Sequence, residues 1–194
     1  METQPVLTIV AGANGSGKTT FARPYTEHNG LQFLNADDLT KAFEDRGEPN
    51  AMMKGGREFF KLLNGALARK EDVVIETTLS GTYTTKVSKK AKQLGYQVKM
   101  IYIFLDNAEM CVDRVMLRVQ KGGHDVPVED IKRRYYRSIA NFRDTFMSFV
   151  DVWYLYYNGL DRHQLVAKQT QSTVDVVDQN KFDYLLNIQT DVTD

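Results

Sequence analysis

The stretch Gly12-Ala13-Asn14-Gly15-Ser16-Gly17-Lys18-Thr19-Thr20 has residue types and spacing that can do chemistry. Gly12, Gly17, Lys18 and Thr19 fit the spacing of a loop that wraps a polyphosphate and aims backbone N–H groups at it. Glycines at 12, 15 and 17 permit backbone conformations that other residues resist, so successive amides can turn inward. Lys18 has the reach to meet the β- and γ-phosphates, and the Thr19 hydroxyl is placed to join the shell of a Mg2+ ion. The expected ligand is therefore ATP or GTP with Mg2+.

Two sets of carboxylates follow. Asn35-Ala36-Asp37-Asp38 stands where a short apolar run gives way to a helix, and Glu76 ends the run Val73-Val74-Ile75. In an open α/β sheet the carboxyl ends of strands face the ligand crevice, so these acids belong near the loop. One of Asp37 and Asp38 can cap the helix while the other points into the site with a catalytic role. Glu76 can coordinate Mg2+ through water or hold a substrate hydroxyl. Thr77, Thr78, Ser80 and Thr82 make a polar loop suited to an uncharged, hydroxyl-rich ligand. Downstream, Arg114, Arg118, Arg133, Arg134 and Arg137 flank Gly122-Gly123-His124. Two arginine-bearing helices on a Gly-Gly hinge describe a lid, spanning about 108–149, that would present guanidinium groups to a transferring phosphoryl. Arg114 and Arg118, four apart, share one face and are the stronger candidates, and His124 sits in the hinge where it can touch phosphate.

The elements that must position these residues are legible from periodicity. Val6 to Val10 predicts a strand into the loop, and about Lys18 to His28 a helix stopped by Asn29-Gly30. Strands are predicted at Leu31–Leu34, Asp72–Thr77, Tyr96–Leu105 and Val150–Tyr156, with Gln164–Lys168 as an edge strand forming a hairpin. Between them run helices over about 51–70, weakened by Gly55 and Gly56 and so possible as two pieces, and over 83–94, 108–120, 127–149 and 177–188. Asp106 ends an apolar run and reads as the cap of the helix beginning at Ala108, with a Mg2+ role as the competing reading. The fold class is α/β: a mostly parallel five-stranded sheet flanked by helices, with a helical lid and a C-terminal edge hairpin, in one domain over 1–194.

Bulk properties narrow the function. The 194 residues carry 25 Lys+Arg against 25 Asp+Glu, a balance that argues against nucleic acid or an anionic membrane as partner. Cys111, the only cysteine, excludes an internal disulfide, and three histidines give no zinc spacing. The N-terminus lacks a signal-peptide pattern and no apolar run is long enough to span a bilayer, so the cytoplasm is the expected location. Leu79-Ser80-Gly81 echoes the signature of transporter ATPases, but it follows the third strand, where that motif does not belong.

Taken together, the phosphate loop, Asn35-Ala36-Asp37-Asp38, Val74-Ile75-Glu76-Thr77-Thr78, and Asp113-Arg114 ahead of Gly122-Gly123-His124-Asp125-Val126-Pro127 resemble the zeta-toxin group of P-loop kinases over about residues 6–150. The resemblance implies a kinase that phosphorylates the sugar 3′-hydroxyl of UDP-N-acetylglucosamine and is opposed by a protein antitoxin. It implies that Asp37 accepts the hydroxyl proton, that Glu76 and Thr78 hold the sugar nucleotide, and that Lys18 and Arg114 neutralise phosphate. Where the family places a second arginine, three residues before the lid proline, this chain has His124. Arg118 is the first substitute and Arg134 the second. Another small-molecule acceptor, an antibiotic, a metabolite or a nucleic-acid end, is the alternative within kinases.

Overall fold

The computed structural model describes residues 4–159, 162–170 and 173–190. Strand β1 (Val6–Ala11) is the middle one of the five parallel strands, and its run is buried on both faces. It pairs in parallel with β3 (Val73–Thr77) on one side and β4 (Gln97–Phe104) on the other. Outside them lie β2 (Gln32–Leu34) beside β3 and β5 (Val152–Tyr157) beside β4, both parallel. Two antiparallel strands extend the sheet, β6 (Gln164–Thr170) on β5 and β7 (Thr173–Val176) on β6, giving seven strands among the described residues in the order β2-β3-β1-β4-β5-β6-β7. The spacing predicts five parallel strands and one edge strand. The additional β7 alternates Thr-Val-Asp-Val yet buries neither face, so it lacks the burial pattern that makes a strand legible.

Helices α1 (Lys18–Asn29), α2 (Ala36–Glu44), α3 (Ala51–Arg69) and α4 (Tyr83–Gln93) connect the first four strands. Gly30, at φ 62°, closes α1 with its N–H on the carbonyls of Thr26 and Glu27, as Asn29-Gly30 predicts. Helix α3 is one piece, although its sequence permits two. A Cβ on Gly55 would sit 2.6 Å from the backbone nitrogen of Thr40, so this glycine lets α2 and α3 approach closely.

After β4 come α5 (Ala108–Gln120) and α6 (Val128–Asn141). The sequence predicts one unbroken helix to Phe149. Instead a π-turn (Phe142–Phe146) and the short α7 (Met147–Phe149) follow α6. The π-turn seats both Phe142 and Phe146 in the core, with Phe142 stacked on Tyr102 at 4.2 Å and edge-on to Trp153 at 5.8 Å. Helix α8 (Gln179–Asn187), capped by Asp178, covers the last strands and stacks Phe182 on Trp153.

Asn107, whose Oδ1 accepts from the Met110 N–H at 2.9 Å, is the cap predicted for Asp106. The Asp106 carboxylate instead accepts from the Tyr157 hydroxyl. No helix among the described residues is long and apolar enough to cross a membrane.

Candidate active site

The carboxyl ends of the five parallel strands carry the chemistry. Strand β1 runs into Gly12, whose φ of 145° and whose contact with the Ile103 carbonyl leave no room for a side chain. The loop then turns through Asn14, Gly15 and Ser16 to Gly17, which caps α1 in the left-handed region at φ 95°. A Cβ on Gly17 would collide with the Asn158 side chain. Asn14, Gly15, Gly17, Lys18, Thr19 and Thr20 line a cavity of about 980 Å3, whereas Gly12, Ala13 and Ser16 form the loop's inner side against the sheet. Beneath the loop, burial pushes the Cys111 thiol up to about 12, so it is a neutral packing group.

Lys18 is buried and its Nζ donates to the Ala13 carbonyl at 2.8 Å. Its pKa is lowered, chiefly by burial, with the charge of Glu76 opposing. Glu76 is the residue in register with Val10 of β1, two residues before the loop begins at Gly12. It accepts from the Thr19 hydroxyl at 2.9 and 3.0 Å and from Asn35 Nδ2 at 3.1 Å, with Lys18 Nζ 3.9 Å away. Burial raises the Glu76 pKa, and the Lys18 charge and the Thr19 hydrogen bond oppose the rise. Both partners shift toward their neutral forms, so desolvation outweighs their mutual attraction at this separation.

At the end of β2 the capping role predicted for Asp37 or Asp38 falls to Asn35, whose Oδ1 accepts from the Asp37 N–H at 2.8 Å. That leaves both acids free of the cap. Asp38 turns outward and pairs with Arg23 at 2.7 Å, while Asp37 lines the cavity and acts electrostatically on Lys18 and Glu76. After β3, Leu79 is buried in a left-handed conformation at φ 57°, held by the Thr77 hydroxyl on its N–H and by Asn141 on its carbonyl. This kink leaves Thr78 and Ser80, hydrogen-bonded to each other at 2.9 Å, lining the cavity. Thr77 lines it too, with its hydroxyl engaged in the turn.

Helices α5 and α6 wall the opposite side. Arg114, Arg118 and Arg134 line the cavity. Arg114 donates to the Asn158 carbonyl at 2.7 Å, Arg118 to the His124 carbonyl at 2.7 Å, and Arg134 to Asn14 Oδ1 at 3.3 Å. His124 itself is exposed and its side chain lies outside the cavity, because the hinge turns its carbonyl rather than its ring toward Arg118. Arg133 pairs with Asp130 at 2.8 Å, and neither it nor Arg137 lines the cavity. Asp106 is absent from the cavity wall, so its metal reading finds no geometric support.

Several lining residues carry no motif. Lys41 lies one helical turn beyond Asp37, and Phe59, Phe60 and Tyr83 form an aromatic wall, with Phe60 edge-on to Tyr83 at 4.8 Å. Asn158 follows a strand, at the position where crevice residues belong, and that placement is its one signal in the sequence. No group of three or more acidic, histidine or cysteine residues that could hold a metal exists among the described residues. The oxygen donors of Thr19 and Glu76 nonetheless suit Mg2+, which needs only one or two protein ligands beside phosphate and water.

A family model described as Zeta toxin matches residues 1–181. An uncharacterized protein of Haemophilus influenzae is 29% identical over 124 residues, which is 64% of this chain and 88% of that protein. Among solved structures, one from the PezAT chromosomal toxin–antitoxin system of Streptococcus pneumoniae superposes with a TM-score of 0.70 at 17% identity, over 95% of this chain and 78% of that one. A structure of AvrRxo1-ORF1:-ORF2 with ATP gives 0.75 at 18% identity, over 100% of this chain and 67% of that one. At these identities the likeness is one of fold, an α/β P-loop-kinase-like architecture with a mixed sheet and flanking helices.

Proposed function

Because the chain belongs to the zeta-toxin family, we propose that it is an ATP-dependent phosphotransferase acting on a hydroxyl of a small molecule. The observation that carries this reading is the convergence on one cavity of the phosphate loop, Asp37, Glu76 and three arginines from α5 and α6. A nucleotide cradle alone would serve a switch or a pump. A carboxylate facing that cradle from the end of β2 supplies what a kinase needs on the acceptor side.

In this reading Gly15, Gly17 and the start of α1 hold the triphosphate through backbone N–H groups, and Lys18 meets the β- and γ-phosphates. Thr19 and Glu76 would hold Mg2+, which when bound neutralises phosphate charge. Asp37 accepts the proton of the acceptor hydroxyl as that oxygen bonds to the γ-phosphorus and the bond to the β-phosphate oxygen breaks, releasing ADP. Arg114 and Arg118 stabilise the charge on the phosphoryl in flight, with Arg134 behind them, and α5 with α6 act as the lid that excludes water. Arg118, not His124, stands in for the family's second arginine.

The acceptor side combines hydroxyls at Thr78 and Ser80, the cation of Lys41 and the aromatic wall of Phe59, Phe60 and Tyr83. That mixture suits an acceptor with a planar or apolar face as well as hydroxyls, and the sugar 3′-hydroxyl of UDP-N-acetylglucosamine is the acceptor the family implies. A protein antitoxin and a cytoplasmic setting are part of the same proposal. Incubation with γ-labelled ATP tests it: label moves onto UDP-N-acetylglucosamine or another hydroxyl compound if the reading holds, and into inorganic phosphate alone if it does not.

A further inference from the structure

Two side chains far from the phosphate loop in sequence grip it from outside. Asn158 follows β5, where its N–H extends the ladder to the Phe104 carbonyl at 3.0 Å. Its Nδ2 donates to the Ser16 carbonyl at 2.9 Å, across 142 residues, and its own carbonyl accepts from Arg114 at 2.7 Å. His163 precedes β6, and its Nε2 lies 3.2 Å from the Gly17 carbonyl, across 146 residues. A carbonyl only accepts, so Nε2 carries the hydrogen. The ring is set by an edge-on contact with Phe21 at 5.3 Å.

A trans peptide is planar, with C=O and N–H pointing in opposite directions. Drawing the Ser16 carbonyl toward Asn158 therefore fixes the direction of the Gly17 N–H, away from Asn158. Drawing the Gly17 carbonyl toward His163, where it also accepts the first helical bond from Phe21 N–H at 3.1 Å, fixes the Lys18 N–H in the same manner. Both residues line the cavity, and these are two amides of the kind that a phosphate loop aims at its anion. The packing is close: a Cβ at Gly17 would collide with Asn158 Nδ2 and lie 3.2 Å from His163 Nε2.

We propose that Asn158 and His163 are positioning residues that pre-set the aim of the Gly17 and Lys18 amides, and that Asn158 couples the loop to Arg114 of α5. The inference rests on the reading of the loop as a triphosphate site. It assigns the ends of β5 and β6 a role in anion binding that no loop motif contains.

Calorimetric titration of the full chain with ATP and, separately, with inorganic tripolyphosphate, each with Mg2+, tests it. Asn158→Ala is expected to weaken both ligands by the same factor, about tenfold, the scale of one lost buried hydrogen bond. His163→Ala weakens both in the same way, and His163→Gln, which keeps a side-chain donor, recovers most of the loss. Unchanged tripolyphosphate affinity in Asn158→Ala overturns the proposal, as does a loss confined to ATP, which would make Asn158 a direct contact of the nucleoside. If Asn158→Ala does not fold, the contrast between the two His163 variants decides. Failure of the unsubstituted chain to bind either ligand overturns the triphosphate reading and this inference with it.

Discussion

The Thr19 hydroxyl lies 2.9 and 3.0 Å from the two carboxylate oxygens of Glu76, joining the first turn of α1 to the end of β3. One hydroxyl hydrogen is thus shared by two acceptors, and Asn35 and Lys18 complete a polar cluster built from the end of β3, the residue after β2 and the first turn of α1. In the proposed function the cluster sits where the nucleotide side of the cavity meets the acceptor side.

Its charge is a burden on folding. Burial raises the Glu76 pKa above the ordinary 4.5, so the ionised side chain is less favourable in the folded chain than in the unfolded one. The stability linked to this group is fully present below pH 4.5 and is lost as pH rises through the higher folded value. Glu76→Gln should therefore raise the melting temperature of the ligand-free protein at pH 7, with the gain disappearing in scans below pH 4.5, while phosphoryl transfer falls.

Lys18 and Asp37 separate binding from transfer. Lys18→Ala should weaken ATP on the order of a hundredfold, the loss of about 3 kcal/mol of charge-assisted hydrogen bonding, and abolish transfer. Asp37→Ala should leave ATP affinity within about twofold, because the proposed role of this side chain is toward the acceptor, and remove transfer. Calorimetry and a labelled-phosphate assay on the same preparations read both, and transfer at the normal rate by the Asp37 variant would refute its role as base.

The arginines form a graded series. Arg114→Ala and Arg118→Ala should each lower kcat on the order of a hundredfold or more, as expected for guanidinium groups that stabilise a transferring phosphoryl. Arg133→Ala, which loses only an exposed pair with Asp130, should leave kcat unchanged. Steady-state kinetics at saturating ATP makes the comparison.

Adjacent glycines in α3 should respond in opposite directions. Gly55→Ala pushes a methyl into the Thr40 backbone and should cost about 1–3 kcal/mol of stability. Gly56 faces open space, so Gly56→Ala should gain about 0.5–1 kcal/mol from helix propensity. Urea denaturation of the two variants reads the difference in sign.

These contrasts show what the sequence could and could not carry. Gly12 to Thr19 was legible because its chemistry is contiguous, and Asp37 and Glu76 because each ends an apolar run. Asp37 and Asp38 look alike in sequence, and only the fold separates the one beside Arg23 from the one in the cavity. His124 stands where the resemblance expects an arginine, yet the hinge geometry makes its carbonyl, not its ring, the part that meets Arg118. Asn158 has only its place after a strand as a signal and His163 has none, because the partners of both lie more than a hundred residues away. The π-turn at Phe142–Phe146 escaped for a related reason, since the demand for it comes from Tyr102 and Trp153 on neighbouring strands.

The most direct test of a phosphotransferase is to incubate a metabolite extract with γ-labelled ATP, Mg2+ and protein, and to follow the label by chromatography and mass spectrometry. One hydroxyl compound should gain a single phosphate with the unsubstituted chain and remain unchanged with Asp37→Asn. Label appearing only as inorganic phosphate, at equal rates with both proteins, would contradict the account.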